Sequence, residues 1–174
     1  MSKSTDDPKR RVLIIEDEPT TLEMLTQYLN FHNFETMGAL NGMLGLQRVE
    51  SFQPEIIILD LMLPDMDGLV ILKLLRGRDS TRDLPVLILS ALASPASVRQ
   101  GYEAGATRYM KKPVDMKILL EEINDALSEG HHEPSPSQQE ADALRPPTGE
   151  DDVDFVIGKS RKWHSGSGDD TRPV

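Results

Sequence analysis

The chain has 174 residues, 38% of them hydrophobic, no cysteine and a formal net charge of −10. That allows one ordinary domain plus an extra segment, with enough apolar material for a core and no disulfide framework. No apolar run is long enough to span a bilayer, the opening MSKSTDDPKRR lacks a signal-peptide stretch, and the acidic balance argues against a general nucleic-acid binder, which needs a basic face.

Residues 1–10 are polar and expected to be unstructured. Val12 to Ile15 is a short apolar run fit for a buried strand. Pro19 suits the first turn of a helix with Leu22, Leu25 and Leu29 on one face. Phe34 to Ala39 is a weaker strand candidate, and Asn41 is placed to cap a helix to about Phe52 with Leu46 and Val49 inward. Glu55 to Leu59 is a second strong strand, and Gly68 to Arg76 an apolar helix. Pro85 to Leu89 is a third strong strand. Ser94-Pro95 reads as an N-cap with proline at the first helical position, opening a helix that stops near Gly105. Arg108 to Lys111 is a short strand. The helix from Asp115 to Leu127 carries Met116, Leu119, Leu120, Ile123 and Leu127 on one stripe.

Beyond residue 129 proline, serine, glycine and acids dominate, too little apolar surface to offset the entropy of ordering. The expected organisation is therefore an unstructured lead-in (1–10), one domain (11–129) and an unstructured tail (130–174). Inside the tail, VDFVIGKSRKWH offers Phe155, Ile157 and Trp163 as anchors of a short docking segment, against the plainer reading of chance apolar residues. His131, His132 and His164 read as solvated rather than as metal ligands.

Five strand–helix units with apolar strands imply an α/β, doubly wound parallel sheet covered on both faces, for which the common five-stranded order is 2-1-3-4-5. Ligands then bind beyond the carboxyl ends of the strands, between the first and third. The first strand ends in Glu16-Asp17-Glu18, the third in Asp60, the fourth in Ser90 and the fifth in Lys111-Lys112-Pro113. Alone, the acidic triplet reads as a solvated turn or helix start; with Asp60 beside it, the convergence favours a site. Crowded carboxylates repel unless a cation intervenes. An oxygen-rich set without cysteine or histidine suits a hard divalent ion that keeps several waters, Mg²⁺. Lys112 adds an ammonium and Ser90 a hydroxyl, so a carboxylate here has the surroundings for nucleophilic attack on phosphorus.

The segments VLIIEDE, ILDLMLPDMDG, PVLILSA and GATRYMKKP, in this order and spacing, resemble the receiver domain of bacterial two-component response regulators from Arg11 to about Leu127. The resemblance implies a flavodoxin-like fold and a cytoplasmic signalling protein that catalyses its own aspartyl phosphorylation and dephosphorylation, without being a metabolic enzyme. It implies Asp60 as acceptor of a phosphoryl group from a histidine kinase or phosphotransfer protein. Asp17 and Asp60 would bind Mg²⁺ directly, Glu16 largely through water, and the backbone carbonyl of Met62 would complete the set. Ser90 and Lys112 would contact phosphoryl oxygens, Tyr109 would be the aromatic switch residue, and the Lys112-Pro113 peptide would be cis. Lys112 directly precedes the proline, and strand alternation puts Lys111 on the opposite side. Pro64, Asp65, Asp67 and Gly68 read as loop-shaping residues, with Asp67 capping the next helix.

Other readings are weaker. A flavin mononucleotide carrier would have its phosphate repelled by the acidic triplet, and the P-loop signature of a nucleotide-triphosphate enzyme is absent. A metal-dependent nuclease-like domain could use Asp65-Met66-Asp67, but that pair lies beyond the strand end and lacks a basic stripe. A phosphorylation-independent docking module usually lacks one of the chemical residues present here. The expected outcome is a stand-alone receiver that signals to a protein effector, with no direct nucleic-acid contact and no membrane insertion. The DNA-binding subfamily usually has an acidic residue before the aromatic and basic residues on the last helix. Here Thr107-Arg108 and Glu121-Glu122 stand in those places, which favours a monomer when unphosphorylated.

Overall fold

Each apolar run becomes a strand, and each 3.6-residue stripe a helix that covers it. The computed structural model describes residues 8–129; the tail segment, its histidines and residues 1–7 lie outside the described residues. In chain order the elements are β1 (Arg10–Ile15), α1 (Pro19–Phe31), β2 (Phe34–Ala39), α2 (Gly42–Phe52), β3 (Ile56–Leu59), α3 (Gly68–Arg76), β4 (Val86–Ser90), α4 (Pro95–Glu103), β5 (Arg108–Lys111) and α5 (Met116–Ser128). The strands form one parallel sheet in the order β2-β1-β3-β4-β5. The expected class and order are both present, with element ends shifted by a residue or two.

Side-chain alternation along the strands divides the core in two. Leu13, Ile15, Ile57, Leu59, Val86 and Ile88 pack on one face with Val49, Phe52, Ile71, Leu72 and Leu75 of α2 and α3. Val12, Ile14, Ile56, Ile58, Leu87 and Leu89 pack on the other with Leu25 and Leu29 of α1 and Leu119 and Ile123 of α5. A strand buried on both faces has no polar alternation to show, which is why these runs read as continuous apolar stretches. The register sets Ile15 level with Leu59 and Leu59 level with Ile88. The residues that follow these strands therefore emerge at one edge.

Helix starts are chemically marked. Asn41, Asp67, Ser94 and Asp115 cap α2, α3, α4 and α5 through their side chains, each satisfying N–H groups that the first turn leaves unpaired. Gly105 sits past the end of α4 at φ 101°, the left-handed position that closes a helix most cheaply with glycine.

At the opposite edge of the sheet, Arg108 at the start of β5 is buried. Its Nε donates to Glu122 Oε2 of α5 at 2.9 Å and its Nη1 to the Thr107 carbonyl at 3.0 Å, while Nη2 pairs with Glu129. Arg108 and Glu122 are thus internal partners that fasten the last two turns of α5 to the sheet, not a pattern of surface charge. Removing one member of a buried pair strands the other. Arg108→Ala is therefore expected to cost about 3–5 kcal/mol of unfolding free energy, measured by urea titration. Joint replacement by Arg108→Met and Glu122→Leu should recover most of it; a single variant within about 1 kcal/mol of the parent would show that the pair carries little.

Candidate functional site

Ladder hydrogen bonding runs one residue past the strands and fixes the site backbone. Glu16 N–H donates to the Ala39 carbonyl at 2.9 Å, Asp60 N–H to the Ile15 carbonyl at 3.0 Å, and Lys112 N–H to the Ser90 carbonyl at 2.9 Å. Glu16, Asp60 and Lys112 are in effect the last rungs of the sheet. Their side chains meet: Lys112 Nζ donates to Glu16 Oε2 at 2.6 Å and to Asp60 Oδ2 at 2.7 Å. Glu16 is 2% exposed and Asp60 6%, so neither charge is shielded by bulk water and the ammonium between them offsets much of their repulsion.

One carboxylate oxygen each from Glu16, Asp17 and Asp60 lies within 4.8 Å of the others, with Asp17 exposed at the mouth. All donors are hard oxygens, and one lysine neutralises only part of three acids. The set therefore fits a small divalent cation such as Mg²⁺. Burial holds the Glu16 carboxyl above its ordinary range against the hydrogen bond and charge of Lys112. Lys112 is itself raised: burial opposes its charge, but the bonds and charges of Asp60 and Glu16 outweigh that. Glu18 has left the cluster. It caps α1 by accepting from Thr20 and Thr21 N–H, and Thr21 first among these partners lowers its pKa to about 2. The two acids thus act oppositely on stability: proton uptake by Glu16 favours folding as pH falls, whereas the Glu18 contribution is lost as pH falls from 4.5 toward 2.

Comparison with known proteins shows the family of the chain. The profile of the response regulator receiver domain matches residues 12–124. The chain belongs to this receiver family of two-component systems. It is similar to the DNA-binding dual master transcriptional regulator RpaA of Synechocystis, 35% identical over 117 residues, covering 67% of this chain and 48% of that protein. It is also similar to the DNA-binding response regulator MtrA of Mycolicibacterium smegmatis, 32% identical over 130 residues, covering 75% of this chain and 56% of that protein. The chain thus spans about half the length of these relatives. Among solved structures, a putative response regulator from Chloroflexus aurantiacus matches with TM-score 0.66 at 32% identity, covering 69% of this chain and 98% of that one. A CheY-like receiver from Methanospirillum hungatei matches with TM-score 0.66 at 29% identity, covering 70% and 96%.

Ser90 of the receiver is fully buried at the end of β4, its Oγ accepting from Leu92 N–H at 3.3 Å. Tyr109 lies half-buried on β5, level with Ile88, and its hydroxyl donates to the Leu92 carbonyl. One peptide segment therefore ties Ser90 to Tyr109, and the sequence carries no signal for it, because Leu92 acts through its backbone. Lys111 is exposed and Lys112 turns into the site, as alternation requires. The Lys112-Pro113 peptide is cis. Met62 N–H donates to Asp60 Oδ1 at 3.1 Å, holding the loop backbone beside the carboxylate.

The Asp65-x-Asp67 pair points elsewhere. Asp65 accepts from Gly42 and Met43 N–H, both at 2.8 Å, and so caps α2 across 23 residues; Asp67 accepts from Leu69 N–H at 2.8 Å. Both carboxylates are committed to helix starts, which leaves the nuclease-like reading without its ligands. Sequence reasoning identified the Asp67 cap and missed the Asp65 one, whose partner helix precedes it in the chain.

Two glycines shape the site by close approach. A Cβ at Gly68 would lie 2.5 Å from the Asp60 carbonyl oxygen and 2.7 Å from Leu61 Cα, backbone that cannot step aside. Gly68→Ala should lose about 1–3 kcal/mol despite its better helix propensity and slow any reaction at Asp60; an unchanged urea midpoint would show that the loop yields freely. A Cβ at Gly101 would lie 2.7 and 2.8 Å from Tyr109 Cδ2 and Cε2, so Gly101 leaves the slot that the ring fills. Burial, and then the Asp60 charge, push the Tyr109 hydroxyl up to about 12. Gly101→Ala should expel the ring and return this titration toward the free value of about 10. Tyrosinate absorbance through alkaline pH reads the change; an unaltered profile would place the ring outside the influence of Gly101.

Proposed function

We propose that Asp60 accepts a phosphoryl group from a phosphohistidine on a histidine kinase or phosphotransfer protein in a Mg²⁺-assisted reaction. The observation that carries this is a buried carboxylate at a strand end, 2.7 Å from the Lys112 ammonium and grouped with Glu16 and Asp17. In this reading one Asp60 oxygen attacks phosphorus, the P–N bond breaks with its electron pair leaving on the imidazole, and an aspartyl phosphate results. Glu16, Asp17 and Asp60, with the Met62 carbonyl, would hold the metal, which supplies charge neutralisation during the transfer. Lys112 would release its bond to Asp60 and take a phosphoryl oxygen, with Ser90 taking another. Hydrolysis of the aspartyl phosphate would return the receiver to its starting state.

The added phosphoryl group carries roughly −1.5 to −2 charges into a crevice already short of cations. Drawing Ser90 toward it would pull on the Leu92 segment and hence on Tyr109, changing the surface of α4 and β5 and its affinity for a protein effector. A coupling of this type is worth about 1–3 kcal/mol. We assign this receiver role to residues 11–129, working in the cytoplasm as a monomer before phosphorylation. RpaA and MtrA are named as DNA-binding proteins; with about half of each matched, we propose that the receiver itself contacts protein and not nucleic acid. Among the described residues no helix is long and apolar enough to cross a membrane.

The test is intact-mass spectrometry after incubation with acetyl phosphate, with and without Mg²⁺. A gain of one phosphoryl group is expected that requires Mg²⁺ and disappears in Asp60→Asn. Absence of any gain would overturn the phospho-acceptor reading and leave a receiver fold used purely for docking.

A further inference from the structure

Arg76, the last residue of α3, is half-buried, and no step proposed at Asp60 uses it. Its N–H groups go to main-chain carbonyls: Nε donates to Gly105 at 2.9 Å and Nη1 to Thr81 at 3.1 Å. Burial weighs against its charge, and the charge of Asp83 offsets part of that. A cation drawn partly out of water to hold two carbonyls acts as a clamp, because its hydrogen bonds are stronger than neutral ones. One jaw is anchored on α3, since Thr81 Oγ1 donates to the Leu75 carbonyl at 2.7 Å. The other jaw is Gly105, the turn that closes α4. A Cβ there would lie 2.9 Å from Arg76 Cγ and Nε, so the arginine stem lies against the bare glycine.

The packing of α4 is thin. Within the helix Gly101 alone is buried, whereas α3 buries Gly68, Ile71, Leu72 and Leu75. Its end is laced to its own last turn: Ala104 N–H donates to the Gln100 carbonyl, Gly105 N–H to Tyr102 and Ala106 N–H to Gly101. Its start, Ser94 to Ala96, is exposed and bonded within its own first turn, through Ser97 N–H to Ser94 Oγ at 3.1 Å. α4 follows β4, so its start lies at the carboxyl edge of the sheet, close to Ser90 and Leu92. Its end lies at the opposite edge, on Arg76. Gly101, between the two, carries the slot for the Tyr109 ring.

We propose that Arg76 is a positioning residue that makes the Gly105 turn the pivot of α4. Through its Nε bond it holds the end of the helix on α3, and so keeps Gly101 closed on the Tyr109 ring. Movement of α4 is then confined to the end beside Ser90 and Leu92. The regulatory use of this pivot rests on the switch proposed above; the pivot itself belongs to the unphosphorylated chain.

Two substitutions isolate the bond. Glutamine places an N–H donor at the same point along the side chain as Arg76 Nε, and methionine places a methyl group there. Hydrogen exchange of the full, unphosphorylated chain reads the turn. Alkaline titration of the Tyr109 ring, followed on isotope-labelled tyrosine assigned with Tyr109→Phe, reads the slot. Arg76→Met should speed exchange at residues 101–107 about tenfold, the weight of one hydrogen bond. It should also lower the Tyr109 midpoint from about 12 toward the free value of about 10. Arg76→Gln should keep both readings near the parent, and the sheet amides of Glu16 and Asp60 should be unchanged in both variants. Exchange that rises evenly across the sheet would make Arg76 a general stabiliser and overturn the proposal. So would an unmoved Tyr109 midpoint in Arg76→Met, or Arg76→Gln behaving as Arg76→Met does. Both readings are taken without phosphorylation, so their failure leaves Asp60 as acceptor untouched, and failure of the mass measurement leaves the pivot untouched.

Discussion

The bond network of Lys112 with Glu16 and Asp60 is the constraint on which the site depends. Two nearly buried acids at adjacent strand ends would repel strongly at such a separation. The ammonium, bonded to both at 2.6 and 2.7 Å, makes the pair tolerable without removing the excess negative charge. That residual imbalance is the chemical content of the site. It favours a divalent cation, and in the proposed reaction it would let Lys112 exchange its carboxylate partner for a phosphoryl oxygen. A charge set that was fully balanced would be more stable and have less reason to bind anything.

The sheet supplies the accuracy that such chemistry needs. Parallel pairing sets Ile15 and Leu59 level, and the same ladder holds the next residue of each strand, so the carboxylates converge because of register and not because of loop conformation. Sites built on regular elements are held more tightly than sites on loops. The exception is Tyr109, whose hydroxyl is held by a carbonyl in the segment after β4 and by Ser90 and whose ring depends on a missing side chain at Gly101. Rigid acids and an adjustable tyrosine therefore occupy one crevice.

How much of this could be read from the sequence follows from the nature of each signal. Strands such as Ile56–Leu59 and the caps at Asn41, Asp67 and Ser94 were legible because periodicity and capping are local. The meeting of Glu16, Asp17, Asp60 and Lys112 at one sheet edge was legible because the carboxyl ends of neighbouring parallel strands emerge together. What escaped was non-local or carried by backbone. The Arg108–Glu122 pair joins residues that look like ordinary surface charges until β5 and α5 are packed together. Leu92 contributes a carbonyl, and Gly101 contributes an absence; neither residue type announces that role.

The cap that Asp65 places on α2 has a mechanical consequence. The loop after Asp60 is bolted twice, by Gly68 pressed against the Asp60 carbonyl and by the two bonds that Asp65 accepts from the first turn of α2. To move that loop is to uncap a helix. On the opposite wall Leu92 donates its N–H to Ser90 Oγ and accepts at its carbonyl from the Tyr109 hydroxyl, with no helix cap among these bonds. In the proposed switch, a perturbation arriving at the centre of this crevice would therefore move α4 and β5, with α2 and α3 serving as the anvil.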